Sequence, residues 1–154
     1  MPSTSYKKIL DNFLSYIDNT SYTIHTNYSN ERLLQISPED ICRYFNYKAY
    51  DVQEPNDFDR PLKCRANTLL FYKKAISYFM VRRNMIWDPI RKEGNPTRSD
   101  GINKLINKVL LHEVRGEGVR SKAKRPIEYE EFISILTIVK TDKNLNNELL
   151  TQLD

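Results

Sequence analysis

Apolar residues recur at helical spacing in several separate stretches of the chain, and long β-branched runs are missing. The first stretch predicts a helix over residues 5–18. The second predicts a helix from Ser37 to about Tyr50. Its start is well marked, because Ser37 suits an N-cap, Pro38 suits the first helical position and Asp40 can close a capping box.

A third helix is predicted over residues 65–83, and it is apolar around most of its circumference. At about 100° per residue, its broad core-facing side is formed by Leu69, Tyr72, Ala75, Ile76, Phe79 and Met80. Phe71 and Tyr78 form a second apolar patch. The remaining polar strip is formed by Asn67, Lys73, Lys74 and Ser77. A helix this apolar is expected at the centre of a domain, so its polar strip is where solvent or a ligand meets it.

A fourth helix is predicted over residues 99–115, with Thr97 or Ser99 as its cap and Gly116 at its end. Its core face is predicted to consist of Ile102, Leu105, Ile106, Val109 and Leu110. The opposite side carries Lys104, Lys108 and Arg115. A last helix is expected to begin near Glu128, followed by a short amphipathic tail over residues 142–154.

These patterns predict an all-α fold, a small bundle of about four to five helices with an extra N-terminal helix. Residues 51–64 and 84–98 are expected to be loops, and residues 19–31 a loop or a short extended piece. The predicted divisions are an N-terminal helix with a polar loop (1–31), a core helical domain (32–118), a basic linker (119–127) and a last segment (128–154).

Charge is sharply partitioned along the 154 residues. Residues 1–59 carry a net charge of −4, residues 60–125 a net charge of +12, and residues 126–154 a net charge of −4. So basic a segment repels itself unless a polyanion is near, which favours nucleic acid as the partner. No apolar run approaches the length of a membrane span, and no basic segment has a lipid-type apolar face, so no membrane partner is expected.

Other chemistries find little support in the sequence. Cys42 and Cys64 lie far apart without a disulfide pattern, which indicates a reducing, intracellular compartment. Together with His25 and His112 they lack the close spacing of zinc ligands, so no metal site is predicted. The four glycines form no phosphate-binding or dinucleotide-binding motif, and no cofactor is expected.

Three basic patches are the remaining candidates for function. One lies on the third helix and one on the fourth. The third lies on the linker and consists of Arg120, Lys122, Lys124 and Arg125. Any single patch is more simply interpreted as a solvated helix face. Three patches within one segment of net charge +12, flanked by acidic ends, favour nucleic-acid binding.

The same region contains three recognisable sequence stretches. Residues 65–80 read RANTLLFYKKAISYFM, with Thr68, Tyr72 and Phe79 along the helix. Asn95 begins NPTRS, which precedes the helix ending at Arg115. A third stretch reads KRPI from Lys124 and is followed by Glu131-Phe132. Over residues 37–140 this arrangement resembles the core-binding domain of tyrosine recombinases, the phage integrase family, and is closest to Crypton-type eukaryotic sequences.

The resemblance implies a SAM-like bundle of about four helices that forms one half of a clamp around duplex DNA. It implies that the third helix faces DNA with Asn67, Lys73, Lys74 and Ser77, that the fourth does so with Lys104 and Lys108, and that residues 120–125 follow the backbone. The full predicted DNA-binding set is Arg65, Asn67, Lys73, Lys74, Ser77, Arg98, Lys104, Lys108, Arg115, Arg120, Lys122, Lys124 and Arg125. Self-association on DNA and nuclear residence are expected with it.

The chain departs from the family where catalysis is concerned. The family's chemistry requires arginines, a lysine, a His-x-x-Arg motif and a tyrosine nucleophile in a second domain, and only 29 residues follow Arg125. Residues 128–154 would be the start of that domain. His112-Glu-Val-Arg115 does spell the motif, but it precedes the linker, and Tyr129 follows too closely to be its partner. We therefore expect a non-catalytic DNA-binding domain. The alternative is a helical protein-interaction module that docks an acidic partner.

Overall fold

The computed structural model describes residues 3–120 and 128–151, with side chains described up to Lys143 in the second range. Over these residues the chain is all-α, with six α-helices, one short 3₁₀ helix and no β-strand. This confirms the predicted helical bundle with an extra N-terminal helix. The helices are α1 (Thr4–Asp18), α2 (Asn30–Leu34), α3 (Pro38–Tyr50), α4 (Ala66–Phe79), the 3₁₀ helix (Pro96–Arg98), α5 (Asp100–Val114) and α6 (Tyr129–Thr151).

Contacts divide the chain into a first unit, Met1–Arg120, and a second unit, Ser121–Asp154. The core of the first unit lies between α1, α3, α4 and α5. The second unit contains the single helix α6 among its described residues.

Helix α1 forms as the sequence predicts. The Ser3 side chain accepts a hydrogen bond from the Tyr6 backbone N–H, which satisfies one of the free donors at the helix start. Asn19 ends the helix in the left-handed conformation. Its inward side is apolar and buried, and consists of Ile9, Leu10, Phe13 and Leu14.

The segment after α1 is a loop up to Ser29. The short helix α2 begins at the next residue, Asn30. The predicted loop over residues 19–31 is therefore wrong for its last two residues. The Ser29 side chain caps α2 by accepting from the Arg32 backbone N–H. Arg32 also donates to Asp18 at 2.6 Å and so ties α2 back to the end of α1. These links between distant residues are not visible in local spacing.

Helix α3 confirms the capping box at its start. The Ser37 hydroxyl accepts from the Asp40 N–H, and the Asp40 carboxylate accepts from the Ser37 N–H, each at 3.2 Å. Ile41, Tyr44 and Phe45 are buried on its inward side. The helix ends before Asp51, which adopts the left-handed conformation.

Helix α4 is the central element and packs against α1, α5 and the 3₁₀ helix. It ends at Phe79, and the predicted continuation to residue 83 is wrong. Met80 takes an extended backbone conformation, with ψ of 136°, and residues 81–84 form a turn. Hydrogen bonding from Asn95 to the Arg83 carbonyl holds this turn, which a helical wheel cannot anticipate.

Helix α5 buries Ile102, Ile106 and Val109, as predicted. Leu110 was predicted to face the core, but 46% of it is exposed, because it lies at the edge of the apolar stripe, almost a right angle from its centre.

The start of α5 also differs from the prediction. Thr97 lies inside the 3₁₀ helix, whose cap is Asn95. Ser99 occupies the cap position of α5, but its side chain makes no capping hydrogen bond.

Helix α6 is continuous through Thr151, so residues 142–151 of the predicted separate tail are part of one long helix. Its described apolar side chains, up to Lys143, are largely exposed. None of the described helices is both long and apolar enough to cross a membrane.

Candidate nucleic-acid interface

Several basic residues converge on one surface depression of the first unit. The depression has a volume of about 220 Å³ and lies where the end of α4, the turn after it and the 3₁₀ helix meet. We call it the basic cleft. It is lined by Tyr6, Lys74, Ser77, Tyr78, Arg83, Asn84 and Arg98. Residues from three separate stretches of sequence thus form a single site. Of the lining residues, Lys74, Ser77 and Arg98 belong to the predicted DNA-binding set.

One buried side chain holds the walls of the basic cleft together. Asn95 is fully buried, and its amide nitrogen donates to the Ser77 hydroxyl at 2.7 Å and to the Arg83 carbonyl at 2.9 Å. Its amide oxygen accepts from the Thr97 N–H at 3.0 Å and from the Thr97 hydroxyl at 2.7 Å. Because these bonds use both ends of the amide, they fix α4, the turn and the 3₁₀ helix relative to one another.

Lys73 lies beside the basic cleft and is only partly exposed. Its ammonium group donates to the Asn103 side-chain oxygen on α5 at 2.7 Å. Burial lowers the pKa of Lys73, and the nearby charge of Arg98 lowers it further. A cation held next to another cation is stabilised by a bound anion, so this crowding suits a phosphate group.

The cations at the basic cleft have no carboxylate partners among the described residues. Lys73 binds a neutral amide, and Arg98 donates to the Asn84 carbonyl at 3.4 Å. Arg83 lies over the ring of Tyr78, 5.3 Å from its centroid. Aromatic contact leaves the guanidinium charge uncompensated, and its N–H groups stay available for an acceptor.

The predicted cations of α5 lie on its exposed surface. Lys104 and Lys108 are one turn apart, and both are exposed, as is Arg115 at the end of the helix. The hydrogen bond between Lys73 and Asn103 joins α4 to the first half of α5, the helix that carries Lys104 and Lys108.

The remaining members of the predicted set lie apart from the cleft. Asn67 is exposed near the start of α4, and Arg120 is exposed at the end of the first unit. Lys122, Lys124 and Arg125 lie outside the described residues.

Arg65 is engaged within the protein. Its guanidinium donates to the Val119 carbonyl at 2.8 Å and to the Glu113 carboxylate at 3.2 Å. The other Glu113 oxygen accepts from the Ala66 backbone N–H at 2.6 Å and so caps α4. Arg65 therefore links the start of α4 to the end of α5. It lies about two turns along α4 from Lys73.

The His-x-x-Arg sequence on α5 is divided between two environments. His112 is paired through Nδ1 with the Glu117 carboxylate at 2.9 Å. Arg115 is exposed on the helix end. The hydrogen bond with His112 lowers the pKa of Glu117, although partial burial acts in the opposite direction. Among the described residues, no group of three or more His, Cys, Asp or Glu side chains is arranged to hold a metal ion.

Sequence reasoning missed four residues that line the basic cleft, namely Tyr6, Tyr78, Arg83 and Asn84. It also missed Asn95, which holds the walls of the cleft, and Asn103, which binds Lys73. Arg83 was missed because the third helix was predicted to run through residue 83, whereas Asn84 lies in the segment predicted to be a loop. A usable signal was present in Asn95-Pro96, since asparagine before proline favours a turn or cap.

Comparison of the chain with protein-family models, with characterised proteins and with solved structures gives no match.

Proposed function

We propose that the first unit binds duplex DNA through the basic cleft and the adjoining surface of α5, without cleaving it. The observation that carries the proposal is the convergence of Lys73, Lys74, Arg83 and Arg98 at one place without neutralising carboxylates. Such a cluster is electrostatically costly in the free protein, and a polyanion removes that cost.

The composition of the basic cleft fits a nucleic-acid backbone. Lysine and arginine neutralise phosphates, while short polar side chains such as Ser77 and Asn84 can donate hydrogen bonds to phosphate oxygens. Asn103, Lys104 and Lys108 extend the same chemistry along α5. The phosphate contacts would fix the position of the protein, and the exposed polar side chains of α5 would approach the major groove.

The resemblance to the core-binding domain of tyrosine recombinases supports the same proposal. Two of its stretches, around Lys73 and around Arg98, contribute to the basic cleft. In this proposal the chain acts as the DNA-holding arm of a recombinase-like protein, and Lys122, Lys124 and Arg125 contact the backbone from the linker.

The test is a mobility-shift titration on duplex DNA over a series of salt concentrations. Each phosphate contact should contribute a slope of roughly −0.9 to log affinity against log salt. A steep negative slope is expected. No shift at low salt, or an affinity that does not change with salt, would contradict the proposal.

The alternative is a helical protein-interaction module, in which the same cations dock an acidic partner. An acidic polypeptide such as polyglutamate provides the comparison. Binding to polyglutamate without binding to duplex DNA at the same salt concentration would favour the alternative.

A further inference from the structure

The loop between α4 and the 3₁₀ helix presents an apolar side chain to solvent from a hydrogen-bonded turn. Ile90 is 91% exposed, and Ile86, which precedes the turn, is 72% exposed. Pro89 lies directly before Ile90, and the exposed cations Arg91 and Lys92 directly follow it. We call residues 88–93 the tip turn. The tip turn thus places an exposed apolar side chain directly before two exposed cations.

Hydrogen bonds define the tip turn closely. Asp88 and Glu93 exchange backbone hydrogen bonds of 2.8 and 3.3 Å across its base. The Asp88 carboxylate accepts from the backbone N–H groups of Ile90 and Arg91 at 2.9 and 3.2 Å. These four bonds define the turn that carries Ile90.

Glycine at position 94 is required for this shape. Gly94 has φ of 110°, and a Cβ there would lie 2.4 Å from the Ile86 carbonyl oxygen. The Asn95 N–H donates to the Met85 carbonyl at 2.9 Å and closes the loop at its base. Arg82 pairs with Glu93 at 3.3 Å and fixes the tip turn to the turn after α4.

The loop arises directly from the basic cleft. Asn84 lines the cleft, and Asn95 at the other end of the loop holds its walls. Five residues separate Met85 from Ile90, which allows a reach of at most about 17 Å. That is about half of a ~34 Å helical turn of DNA. This maximum reach is comparable with the distance from phosphates held in the basic cleft to an adjacent groove.

We propose that the tip turn enters the minor groove of DNA and that Ile90 wedges between base pairs there. The proposal rests on the function proposed above and adds the mode of binding. The minor groove is narrow, at about 6 Å, and admits a turn more readily than a helix. Minor-groove proteins use arginine and lysine together with apolar wedges, and the wedge partially unstacks a base step. Arg91 and Lys92 supply those cations.

Such a wedge bends DNA, so a measured bend distinguishes insertion of Ile90 from binding to phosphates alone. Insertion between base pairs kinks a duplex by roughly 20–90°. Flexible TA steps accept the kink more easily than stiff A-tracts. The protein is therefore expected to bind a duplex with a central TA step more tightly than an A-tract duplex of the same length.

The experiment uses the two short duplexes just described, one with a central TA step and one with an A-tract. Both are labelled at their two ends for energy transfer, and the first carries 2-aminopurine at its central step. Wild-type protein, Ile90→Ala and Phe58→Ala are compared. Phe58 is the matched control, because it is 95% exposed on the loop between α3 and α4 and does not line the basic cleft. Circular dichroism checks that each variant is folded.

The expected result has three parts. The wild type and Phe58→Ala should raise both the energy transfer and the 2-aminopurine fluorescence. Ile90→Ala should bind with an affinity lower by about tenfold. Saturated with Ile90→Ala, the duplex should show neither change.

Each other outcome has a distinct meaning. Binding by all three proteins without bending overturns the wedge and leaves DNA binding intact. Absence of DNA binding by the wild type overturns both proposals. Ile90-dependent binding to phosphatidylserine vesicles, with no distortion of DNA, overturns the wedge in favour of a lipid surface.

Discussion

The positively charged side chains at the two ends of α4 lie in opposite environments. At the first end, Arg65 meets the largely buried carboxylate of Glu113, which also caps the helix. At the other end, Lys73 and Lys74 meet Arg83 and Arg98, and none of these four forms an ion pair with any described residue. Arginine at the first end holds two helices together. The cations at the second end repel one another in the free protein and are available to an external anion.

On the function proposed above, this difference separates a cation that stabilises the fold from cations that bind DNA. A buried carboxylate that accepts hydrogen bonds from both a backbone N–H and a guanidinium stabilises the fold. Uncompensated cations around a depression reduce stability and are retained where they bind something. The Glu113 end should therefore respond to mutation in stability, and the basic cleft in DNA affinity.

The largest effect is expected for Glu113→Ala. This change removes the cap from α4 and leaves the Arg65 guanidinium without its partner, so the free energy of unfolding should fall by about 3 kcal/mol. Urea denaturation followed by circular dichroism measures the change. Glu113→Gln keeps an acceptor for the Ala66 N–H and should lose less. Equal stability of wild type and Glu113→Ala would show that this end of α4 does not depend on the carboxylate.

A smaller effect, now on binding, is expected for the double variant Lys74→Glu with Arg83→Glu. DNA affinity should fall by at least about tenfold, or ~1.4 kcal/mol. The salt slope should become shallower by about 1.8, because two phosphate contacts are lost. Stability should be unchanged or slightly higher, since repulsion within the basic cleft is relieved.

The matched control is Lys8→Glu with Lys63→Glu, which changes the net charge by the same amount at exposed positions that do not line the basic cleft. If the control weakens binding as much as the cleft variant, the interaction depends on net charge and the basic cleft has no special role.

The smallest effect is expected for Glu117→Gln, whose effect on the free energy of unfolding should depend on pH. The hydrogen bond with His112 lowers the pKa of Glu117 below its ordinary value of 4.5, against the opposing effect of partial burial. A carboxyl whose pKa is lower in the folded state stabilises the protein above its unfolded pKa, and this contribution is lost as the pH falls through the folded pKa. Glu117→Gln should therefore be slightly less stable than wild type at about pH 6, and the difference should shrink as the pH falls through the folded pKa. Urea midpoints of the two proteins over a series of decreasing pH values measure this change.

The sequence predicted much of the fold because the signals for α1, α3 and α5 are local. The capping box of Ser37 and Asp40 lies within four residues, and the apolar stripes repeat every three to four residues. Leu110 shows the limit of this method, because a residue at the edge of a stripe is buried only if a neighbouring element covers it. The position of that element is a tertiary property.

The candidate site was predictable only in part. The wheel correctly placed Lys73 and Lys74 on the polar strip of α4, but Arg83 was assigned to a helix that ends earlier. Arg65 was grouped with the DNA-binding cations because its partner, Glu113, lies 48 residues away in sequence. Sequence spacing indicates which side of a helix a cation occupies, whereas its pairing with a distant carboxylate depends on how the helices pack.

The position of Asn95 before Pro96 has a consequence for chemical ageing. Asparagine ordinarily deamidates when the backbone nitrogen of the next residue attacks its side-chain amide, and this route requires an N–H on that nitrogen. Proline has none, and the Asn95 amide is also fully buried and hydrogen-bonded at both ends. The side chain that holds the basic cleft together is thereby protected from the commonest route by which an asparagine becomes an aspartate.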